Sequence, residues 1–363
     1  MRIGIDATLL RPDRLTGVER YALSLIRELG RLAPSELVLF ARPDAPPALA
    51  DLDLETHVAP LTYRVAVDQA WLPFAAARAR VDLLHTLAFP TPVLWRGRSA
   101  MTVHDATPWL HPDSASLGMR VYYGPLYRQA LSRAAAVFTV SDASRDDLVR
   151  AVGLPRERVH VTPNGVEPHF FDARAPDGPR DPYLLAVGTI EPRKNMGILL
   201  DVLRALRREG RDLRLVIAGR QGWGQGLPVG DLAPLVRLAG PVSEGELRTL
   251  YAGASCFVMP SLYEGFGLPL AEAMAAGAPC VVSDIAALRE VGGDAVRYAD
   301  PLAPDTFAAA IRAVLDDRAG AEGRAAAGRE RARRFRWEAT AEATLRVYRE
   351  LVPAAPRHRR ERA

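Results

Sequence analysis

The amino-acid sequence predicts an α/β protein built from two doubly wound parallel sheets, each in its own domain. Short apolar runs that end in Gly, Ser, Thr or Asp alternate with amphipathic stretches in both halves, which is typical of βα units. A stretch dense in proline, glycine and charge interrupts this alternation. The 363 residues also exceed the roughly 250 to 300 at which one core stops growing. These observations predict an N-terminal domain at 1–171, a linker at 172–181 and a C-terminal domain at 182–336.

The N-terminal half contains six candidate strands and a strongly amphipathic helix. The helix follows the first strand at residues 16–32, and one of its faces is expected to lie on the sheet because its apolar residues recur at helical spacing. These residues are Val18, Tyr21, Ala22, Leu25, Ile26 and Leu29. The strands are predicted at 2–6, 36–41, 82–87, 99–105, 136–141 and 160–165.

The alternation restarts after the linker with six more strands and four helices. The strands are predicted at 183–189, 213–219, 236–240, 256–261, 279–284 and 295–300. The helices are predicted at 195–210, 243–254, 268–277 and 304–317. Ligands of open parallel sheets bind outside the carboxyl ends of the strands, so chemistry is expected in a cleft between two facing sheets.

The composition narrows the class of protein. Hydrophobic residues make up 48% and charged residues 25%, as in soluble globular proteins. The apolar runs are far shorter than the roughly 18 residues of a membrane span. Asp6 interrupts the first apolar run, which therefore predicts a strand and not a signal peptide. We expect a cytoplasmic protein, and we expect Cys256 and Cys280 in the core because they have neither disulfide nor metal-ligand spacing.

The net charge of +4 does not predict a nucleic-acid partner, because the cations are spread along the chain without a basic stripe that carries aromatic residues. Arginines do gather at residues 328–337 and 356–363. Two interpretations stay open for this C-terminal end. It forms a solvated helix face and a frayed tail, or it contacts anionic lipid head groups at the inner face of the membrane.

Lys194 is the only lysine in the sequence, since the other 46 of the 47 lysines and arginines are arginine. It lies with Arg193 in the loop "TIEPRKN", after a predicted strand and before a helix predicted to begin near Asn195. Two cations at a helix N-terminus indicate a site for a diphosphate, and an ammonium can follow a moving phosphate better than a planar guanidinium can. The alternative, an exposed surface pair, is disfavoured by the loop position and by the solitary lysine.

A second motif, "YEGFGLPLAEAMAAG", places two glutamates eight residues apart. Glu264 is expected at the end of a strand, and Glu272 two turns into the following helix. Gly265 and Gly267 lie between them, and glycine lets the backbone approach a ligand closely. The pattern indicates carboxylates that accept hydrogen bonds from sugar and ribose hydroxyls. A third glycine-rich stretch, "AGRQGWGQG" at 218–226, lacks the spacing of a dinucleotide fingerprint and predicts a flexible loop.

With "TGVERY" and the run "LAGPVSEGELRTLYAGASCFVMPS", these motifs resemble the retaining glycosyltransferases of family 4, which have the GT-B fold, over residues 1–351. The resemblance implies that the C-terminal domain holds a nucleotide-diphosphate sugar and the N-terminal domain its acceptor. Its implied catalytic residues are Glu264 at the donor sugar, His104 beside it, and Arg193 and Lys194 at the diphosphate. Its implied donor-binding residues are Gly17, Asp105, Val242 near the base, Gly265, Phe266, Gly267, Leu268, and Glu272 at the ribose.

The resemblance also implies a helix at about 337–351 that crosses back onto the N-terminal domain. It implies a same-face reaction in which the departing diphosphate deprotonates the acceptor hydroxyl, with protein cations in place of a metal and no cofactor. GDP-mannose is the first expected donor and UDP-glucose the next, and the expected acceptor is a saccharide or a lipid-linked saccharide. Two other functions stay open: a nucleotide-sugar epimerase of the same architecture, and a non-catalytic nucleotide-binding subunit.

Overall fold

The computed structural model describes residues 1–11, 16–111, 124–175, 181–222 and 226–352. The described chain divides into two compact units, and each holds one sheet. The N-terminal unit comprises Met1–Val140, Ser144–Gly165 and the chain from Trp337 onward. The C-terminal unit comprises Ser141–Ala143 and Val166–Arg336.

The sheet of the N-terminal unit has seven strands that run parallel to one another. They are β1 Ile3–Asp6, β2 Leu37–Ala41, β3 Glu55–Val58, β4 Leu83–Thr86, β5 Arg98–Thr102, β6 Ala136–Thr139 and β7 Val159–Val161. Their spatial order is β3-β2-β1-β4-β5-β6-β7. Strands β1, β2, β4 and β6 are buried at every residue, as expected for a parallel sheet covered on both faces.

Eight helices accompany this sheet in the described residues. They are α1 Gly17–Leu32, α2 Pro47–Ala50, α3 Arg64–Ala66, α4 Leu72–Arg78, α5 Thr107–Leu110, α6 Gly124–Arg133, α7 Asp142–Val152 and α14 Trp337–Leu351. A π-helical turn, Val67–Trp71, joins α3 to α4. Thr16 and Glu19 form a capping box at the start of α1. Of the apolar face predicted for α1, all members but Val18 are buried, and Val18 is half-buried.

The sheet of the C-terminal unit has six parallel strands in the order β10-β9-β8-β11-β12-β13. The strands are β8 Tyr183–Val187, β9 Arg214–Ala218, β10 Val236–Gly240, β11 Cys256–Met259, β12 Cys280–Ser283 and β13 Arg297–Ala299. The helices are α8 Ile198–Arg208, α9 Glu244–Gly253, α10 Leu268–Ala275, α11 Ala286–Gly292, α12 Pro304–Asp316 and α13 Arg318–Ala332. An apolar core of α8, α12 and the strands holds this unit together.

The predicted fold class is confirmed, since each unit is a doubly wound parallel sheet. All twelve predicted strands are present, and the missed strand is β3. It lies at the edge of its sheet, and its residues are largely exposed, so it lacks the apolar run that marks the others. Both cysteines are buried, as predicted.

The segment after Gly165 packs within the C-terminal unit, whereas the sequence predicts a first domain that extends to residue 171. A 3₁₀ turn, Pro168–Asp172, places Phe170 against Tyr251 of α9, with ring centroids 5.8 Å apart. Arg329 of α13 donates to the Phe171 carbonyl. Part of the predicted linker, residues 176–180, lies outside the described residues, as does part of the 218–226 loop.

The C-terminal helix α14 packs within the N-terminal unit, chiefly on α1. Arg31 near the end of α1 pairs with Glu338 at 2.7 Å. A Cβ at position 165 would overlap the backbone and side chain of Trp337. Glycine at this position therefore allows the first residue of α14 to pack against the backbone of residue 165. The arginine-rich tail at 356–363 lies outside the described residues. Within the residues that are described, every helix is too short or too polar to span a bilayer.

Candidate active site

Two loops of the C-terminal unit lie side by side where the strand order changes direction. β8 is hydrogen-bonded to β9 on one side and to β11 on the other, so the chain leaves β8 toward one half of the sheet and later fills the other half. Such a switch point opens a crevice at the carboxyl ends of the strands. The loop after β8 carries Arg193 and Lys194, and the loop after β11 carries Glu264 and the glycine turn.

Arg193 and Lys194 do not lie at the N-terminus of a helix, and that prediction is wrong. They belong to a 3₁₀ turn, Pro192–Lys194, and α8 begins only at Ile198. Asn195 separates the two elements because its φ of 53° is left-handed, a conformation that asparagine tolerates better than most residues. The dipole of α8 therefore does not add to the attraction of these two cations for an anion, because it acts only within the first turn of the helix.

Ion pairs hold these cations instead. Lys194 Nζ lies 2.6 Å from Glu264 Oε1, and only 12% and 7% of these side chains are exposed. Arg193 donates to Glu191 Oε1 at 2.7 Å and to the Tyr263 carbonyl at 2.8 Å, and it lies 3.4 Å from Glu264 Oε2. Two partly exposed cations and two buried carboxylates, Glu191 and Glu264, thus form a cluster, which we call the charge quartet.

The charge quartet keeps Glu264 ionised. Burial alone would raise the pKa of this carboxyl, but Lys194 and then Arg193 attract its charge, and together they hold the pKa below its usual value. Glu264 was expected at the end of a strand, but it lies five residues beyond the end of β11. At neutral pH it is an anion that accepts hydrogen bonds.

The glycine turn brings backbone toward the same crevice. Gly267 caps α10 with a φ of 95°, and a Cβ there would overlap Leu288, so both conformation and space require glycine. The ring of Phe266 is buried against Phe335 in an edge-to-face contact at 5.2 Å. The backbone is therefore the part of Phe266, and of Gly265 and Leu268 beside it, that suits contact with a ligand.

Glu272 is the fifth residue of α10, just over one turn into the helix, whereas the sequence analysis placed it two turns in. Its side chain is only 3% exposed and accepts a hydrogen bond from the Tyr251 hydroxyl at 3.0 Å. A buried tyrosine hydroxyl fixes the orientation of this carboxylate. Val242 lies half-buried, two residues beyond β10 and thus at the same carboxyl edge of the sheet.

His104 of the N-terminal unit lies two residues beyond β5. Its Nε2 is 3.0 Å from the Leu87 carbonyl oxygen, and because a carbonyl only accepts, Nε2 carries the proton. Burial lowers the pKa of this imidazole, so the ring is neutral at pH 7 and Nδ1 is its acceptor. The tautomer is assigned from this hydrogen bond.

The other predicted residues of the N-terminal unit lie at turns. Asp105 accepts from the Thr107 backbone N–H at 2.8 Å and so starts α5. Gly17 is the exposed first residue of α1. A Cβ at Gly17 would meet no atom within 4 Å, so packing within the unit does not explain why this residue is glycine.

A carboxyl pair missed by the sequence analysis lies at the switch point of the N-terminal unit. Thr8 donates to Asp6 at 2.6 Å and is 3.2 Å from Asp68, and Arg64 donates to Asp68 at 2.9 Å. Burial and then the charge of Asp6 raise the pKa of Asp68 to about 6. Sixty-two residues separate the two carboxylates, so no local pattern could have paired them.

The comparisons with known proteins agree with this architecture. A model of Glycosyltransferase Family 4 matches residues 15–170, and a model of Glycosyl transferases group 1 matches residues 181–317. The fold is similar to that of sucrose-phosphate synthase from Thermosynechococcus elongatus, with a TM-score of 0.76 and 22% identity. The match covers 98% of this chain and 100% of the synthase chain. Anabaena HepE, solved in complex with UDP-glucose, matches at a TM-score of 0.73 and 16% identity. This match covers 96% of this chain and 100% of the HepE chain. These two likenesses show the fold alone.

The two doubly wound units and these structural neighbours define a GT-B protein. The O-antigen chain mannosyltransferase B of Escherichia coli is 33% identical over 276 residues, which are 70% of this chain and 71% of that protein. A phosphatidyl-myo-inositol mannosyltransferase of Mycolicibacterium smegmatis is 34% identical over 69% of this chain and 65% of its own length. The chain belongs to glycosyltransferase family 4, and it is a glycosyltransferase.

Proposed function

We propose that this enzyme is a retaining mannosyltransferase. It moves mannose from a nucleotide-diphosphate sugar, in the first place GDP-mannose, to a hydroxyl of a saccharide or lipid-linked acceptor. The observation that carries the proposal is the charge quartet at the switch point of the C-terminal unit, beside the glycine turn. The choice of mannose is supported by the mannosyltransferase names of the relatives from E. coli and M. smegmatis.

Arg193 and Lys194 stabilise the charge that develops on the leaving diphosphate. An ammonium has three N–H donors, so Lys194 can contact Glu264 and a phosphate oxygen at the same time. The two cations are already ordered by their carboxylate partners, and ordered charges need little rearrangement when the bond breaks. Protein cations thereby take the place of a metal ion, and we expect turnover without one.

Glu264 holds the donor sugar by accepting hydrogen bonds from its hydroxyls. Its lowered pKa makes it a poor general acid at neutral pH, and two cations that share its charge make it a poor nucleophile. A covalent sugar intermediate on Glu264 is therefore disfavoured. The bond from C1 to the diphosphate breaks, the acceptor oxygen bonds C1 on the same face, and its proton passes to the leaving phosphate oxygen.

Neutral His104 contributes an acceptor near the sugar. Its Nε2 proton is committed to the Leu87 carbonyl, so Nδ1 can accept from a sugar hydroxyl, and the neutral ring adds no positive charge beside the developing oxocarbenium ion. Glu272, oriented by Tyr251, accepts from the ribose hydroxyls. The backbone of Phe266 and its neighbours in the glycine turn donates to the phosphate.

The remaining predicted residues complete the donor site in this proposal. Val242 contacts the base through its backbone, because it lies at the carboxyl edge of the sheet beyond β10. Gly17 and Asp105 lie at the starts of α1 and α5. In the proposed complex, Gly17 lets the phosphate approach the start of α1, and Asp105 orients the loop after β5.

A panel of nucleotide sugars tests the proposal. The purified enzyme is incubated with GDP-mannose, UDP-glucose and related donors, with and without soluble and detergent-solubilised lipid-linked saccharide acceptors, and released nucleoside diphosphate is measured. We expect release to require an acceptor, to be fastest with GDP-mannose, to persist in EDTA, and to give an α-linked product as judged by the one-bond ¹³C–¹H coupling at C1. An epimerised nucleotide sugar without acceptor would indicate an epimerase. Tight nucleotide binding without transfer to any acceptor would indicate a binding subunit.

A further inference from the structure

Four fully buried polar side chains form a hydrogen-bonded chain through the sheet of the N-terminal unit. Tyr348 of α14 is bonded to Nδ1 of His85 on β4. Nε2 of His85 lies 2.9 Å from the Thr102 hydroxyl on β5, which lies 3.1 Å from the hydroxyl of Tyr21 on α1. We call these four residues the buried relay. It links α14 to α1 across two central strands.

Every member of the buried relay is uncharged. Burial lowers the pKa of His85 to about 3 and raises the pKa of Tyr21 to about 12, and it raises the pKa of Tyr348 as well. A neutral imidazole has one donor and one acceptor nitrogen, so His85 satisfies one hydroxyl on each side. Removing one hydroxyl leaves a neighbouring buried polar atom with one partner fewer, which is costly in a dry interior.

The buried relay ends beside His104. The ring of Tyr21 meets the imidazole of His104 edge to face, with centroids 4.6 Å apart and planes at 88°. Such perpendicular contacts are a preferred geometry of aromatic pairs. The Leu87 carbonyl holds Nε2 of the same imidazole. One ring contact and one hydrogen bond therefore fix both the tilt and the rotation of the His104 ring.

Helix α14 supports Tyr21 from both of its ends. Trp337, its first residue, lies 5.9 Å from the Tyr21 ring at an angle of 64°. Tyr348, three turns later, reaches the Tyr21 hydroxyl through His85 and Thr102. A phenylalanine at position 21 would keep the ring contact with His104 but lose the anchor of its hydroxyl.

We propose that Tyr21 is a positioning residue that holds the His104 imidazole in its reactive orientation, and that the buried relay from α14 fixes Tyr21 in turn. The proposal rests on the proposed function, because it takes His104 to act on the donor sugar. It differs from simple core packing, since it requires that Tyr21 affect turnover through His104 and by no other route.

A double-mutant cycle on kcat tests this requirement in the full-length enzyme. We expect Tyr21→Leu to lower kcat about 10-fold with KM for the donor nearly unchanged, because a misplaced group costs rate more than binding. Tyr21→Phe should lower kcat less. In a His104→Ala background, Tyr21→Leu should have no further effect. The matched control is Tyr183→Phe, which removes a half-buried hydroxyl bonded to the Leu250 carbonyl in the other unit and should leave kcat unchanged.

The histidine rings give a readout that does not depend on activity. In a long-range ¹H–¹⁵N spectrum of the full-length protein, the His104 signals are those lost in His104→Ala, and we expect the pattern of an Nε2-protonated neutral ring. Tyr21→Leu should average that pattern toward a mixture of tautomers, whereas Tyr21→Phe and Tyr183→Phe should preserve it.

Two results overturn the proposal: equal effects of Tyr21→Leu with and without His104, or an unchanged His104 spectrum in Tyr21→Leu. Full kcat in His104→Ala would instead refute the catalytic role of His104 within the proposed function. The ring spectrum would then still decide whether Tyr21 positions the imidazole.

Discussion

Replacing Lys194 by alanine should damage the enzyme in two separable ways. The lysine forms the shortest ion pair of the charge quartet, at 2.6 Å from Glu264, and only 12% and 7% of the two side chains are exposed. Its loss leaves a buried carboxylate with Arg193 at 3.4 Å as the remaining cation of the quartet. Its loss also removes a charge proposed to act on the leaving diphosphate.

The two costs can be worked out from this geometry. Breaking a buried ion pair by removing one partner costs about 3 to 5 kcal/mol, and the remaining contact with Arg193 places the expected loss of stability at or below the lower end, about 2 to 3 kcal/mol. Removing one donor that stabilises developing charge costs about 100-fold in kcat, or about 2.7 kcal/mol in the transition state. Both losses come from one substitution, so a second substitution is needed to show that the loss of turnover does not follow from the loss of stability.

The double variant Lys194→Ala/Glu264→Gln separates stability from catalysis. A neutral amide at position 264 removes the unpaired buried charge, so the opening free energy of α10, measured by hydrogen exchange, should return toward that of the wild type. Turnover should stay at least 100-fold low, because the cation is still absent and the donor sugar has also lost the Glu264 carboxylate. Recovery of turnover along with stability would refute the diphosphate role, as would an unchanged kcat in Lys194→Ala.

The solitary lysine also offers a direct view of the site. Reductive methylation with ¹³C-formaldehyde labels one side chain, Lys194, in addition to the chain's α-amino group. Titration with GDP should shift the dimethyl-lysine resonance. The same titration of Lys194→Ala identifies the α-amino signal. A lysine resonance unmoved at saturating GDP would place the diphosphate away from Lys194.

Three further perturbations have expected outcomes. Gly267→Ala should destabilise the enzyme by about 1 to 2 kcal/mol in thermal denaturation, because alanine is strained at a φ of 95° and its Cβ overlaps Leu288. Tyr251→Phe should raise KM for the donor about 10-fold with little change in kcat, because it releases Glu272 from its hydrogen bond. Burial raises the pKa of Asp68 to about 6 from 3.8, so the folded state binds this proton more tightly than the unfolded state does. The resulting contribution to the free energy of unfolding is fully present below about pH 4 and is lost as the pH rises through 6, by up to about 3 kcal/mol. Asp68→Asn should reduce that loss, as measured by urea unfolding at a series of pH values. Tryptophan fluorescence is a suitable probe because four of the five tryptophans lie in the N-terminal unit. An equally steep pH dependence in the variant would contradict the assignment to Asp68.

The sequence predicted the sheets well because their strands are buried on both faces. A strand such as β8 or β11 must be an unbroken apolar run, and that run is visible without knowledge of its neighbours. β3 was missed for the converse reason, since an edge strand with exposed residues has no such run. The pairing of Lys194 with Glu264 was not predicted, although both residues were singled out. Seventy residues separate them, and their contact depends on β8 and β11 being neighbours in the sheet.

Errors at the site came from local backbone geometry. The apolar periodicity of α8 reaches back toward Asn195, so the helix was predicted to begin there. A left-handed asparagine stops it, and no periodicity reveals a single φ angle. The orientation of Glu272 was likewise not predictable, because its partner Tyr251 lies on another helix.

Asn195 has a consequence for how the crevice responds to its substrate. Its amide donates to the Pro260 carbonyl at 3.2 Å and to the Pro301 carbonyl at 2.7 Å, and the Arg193 carbonyl accepts from the Leu262 backbone N–H at 2.9 Å. Segments that follow three different strands, β8, β11 and β13, are thus fastened by one amide side chain. We therefore expect the crevice to be largely preformed, so that little of the substrate's binding energy is spent on ordering these segments.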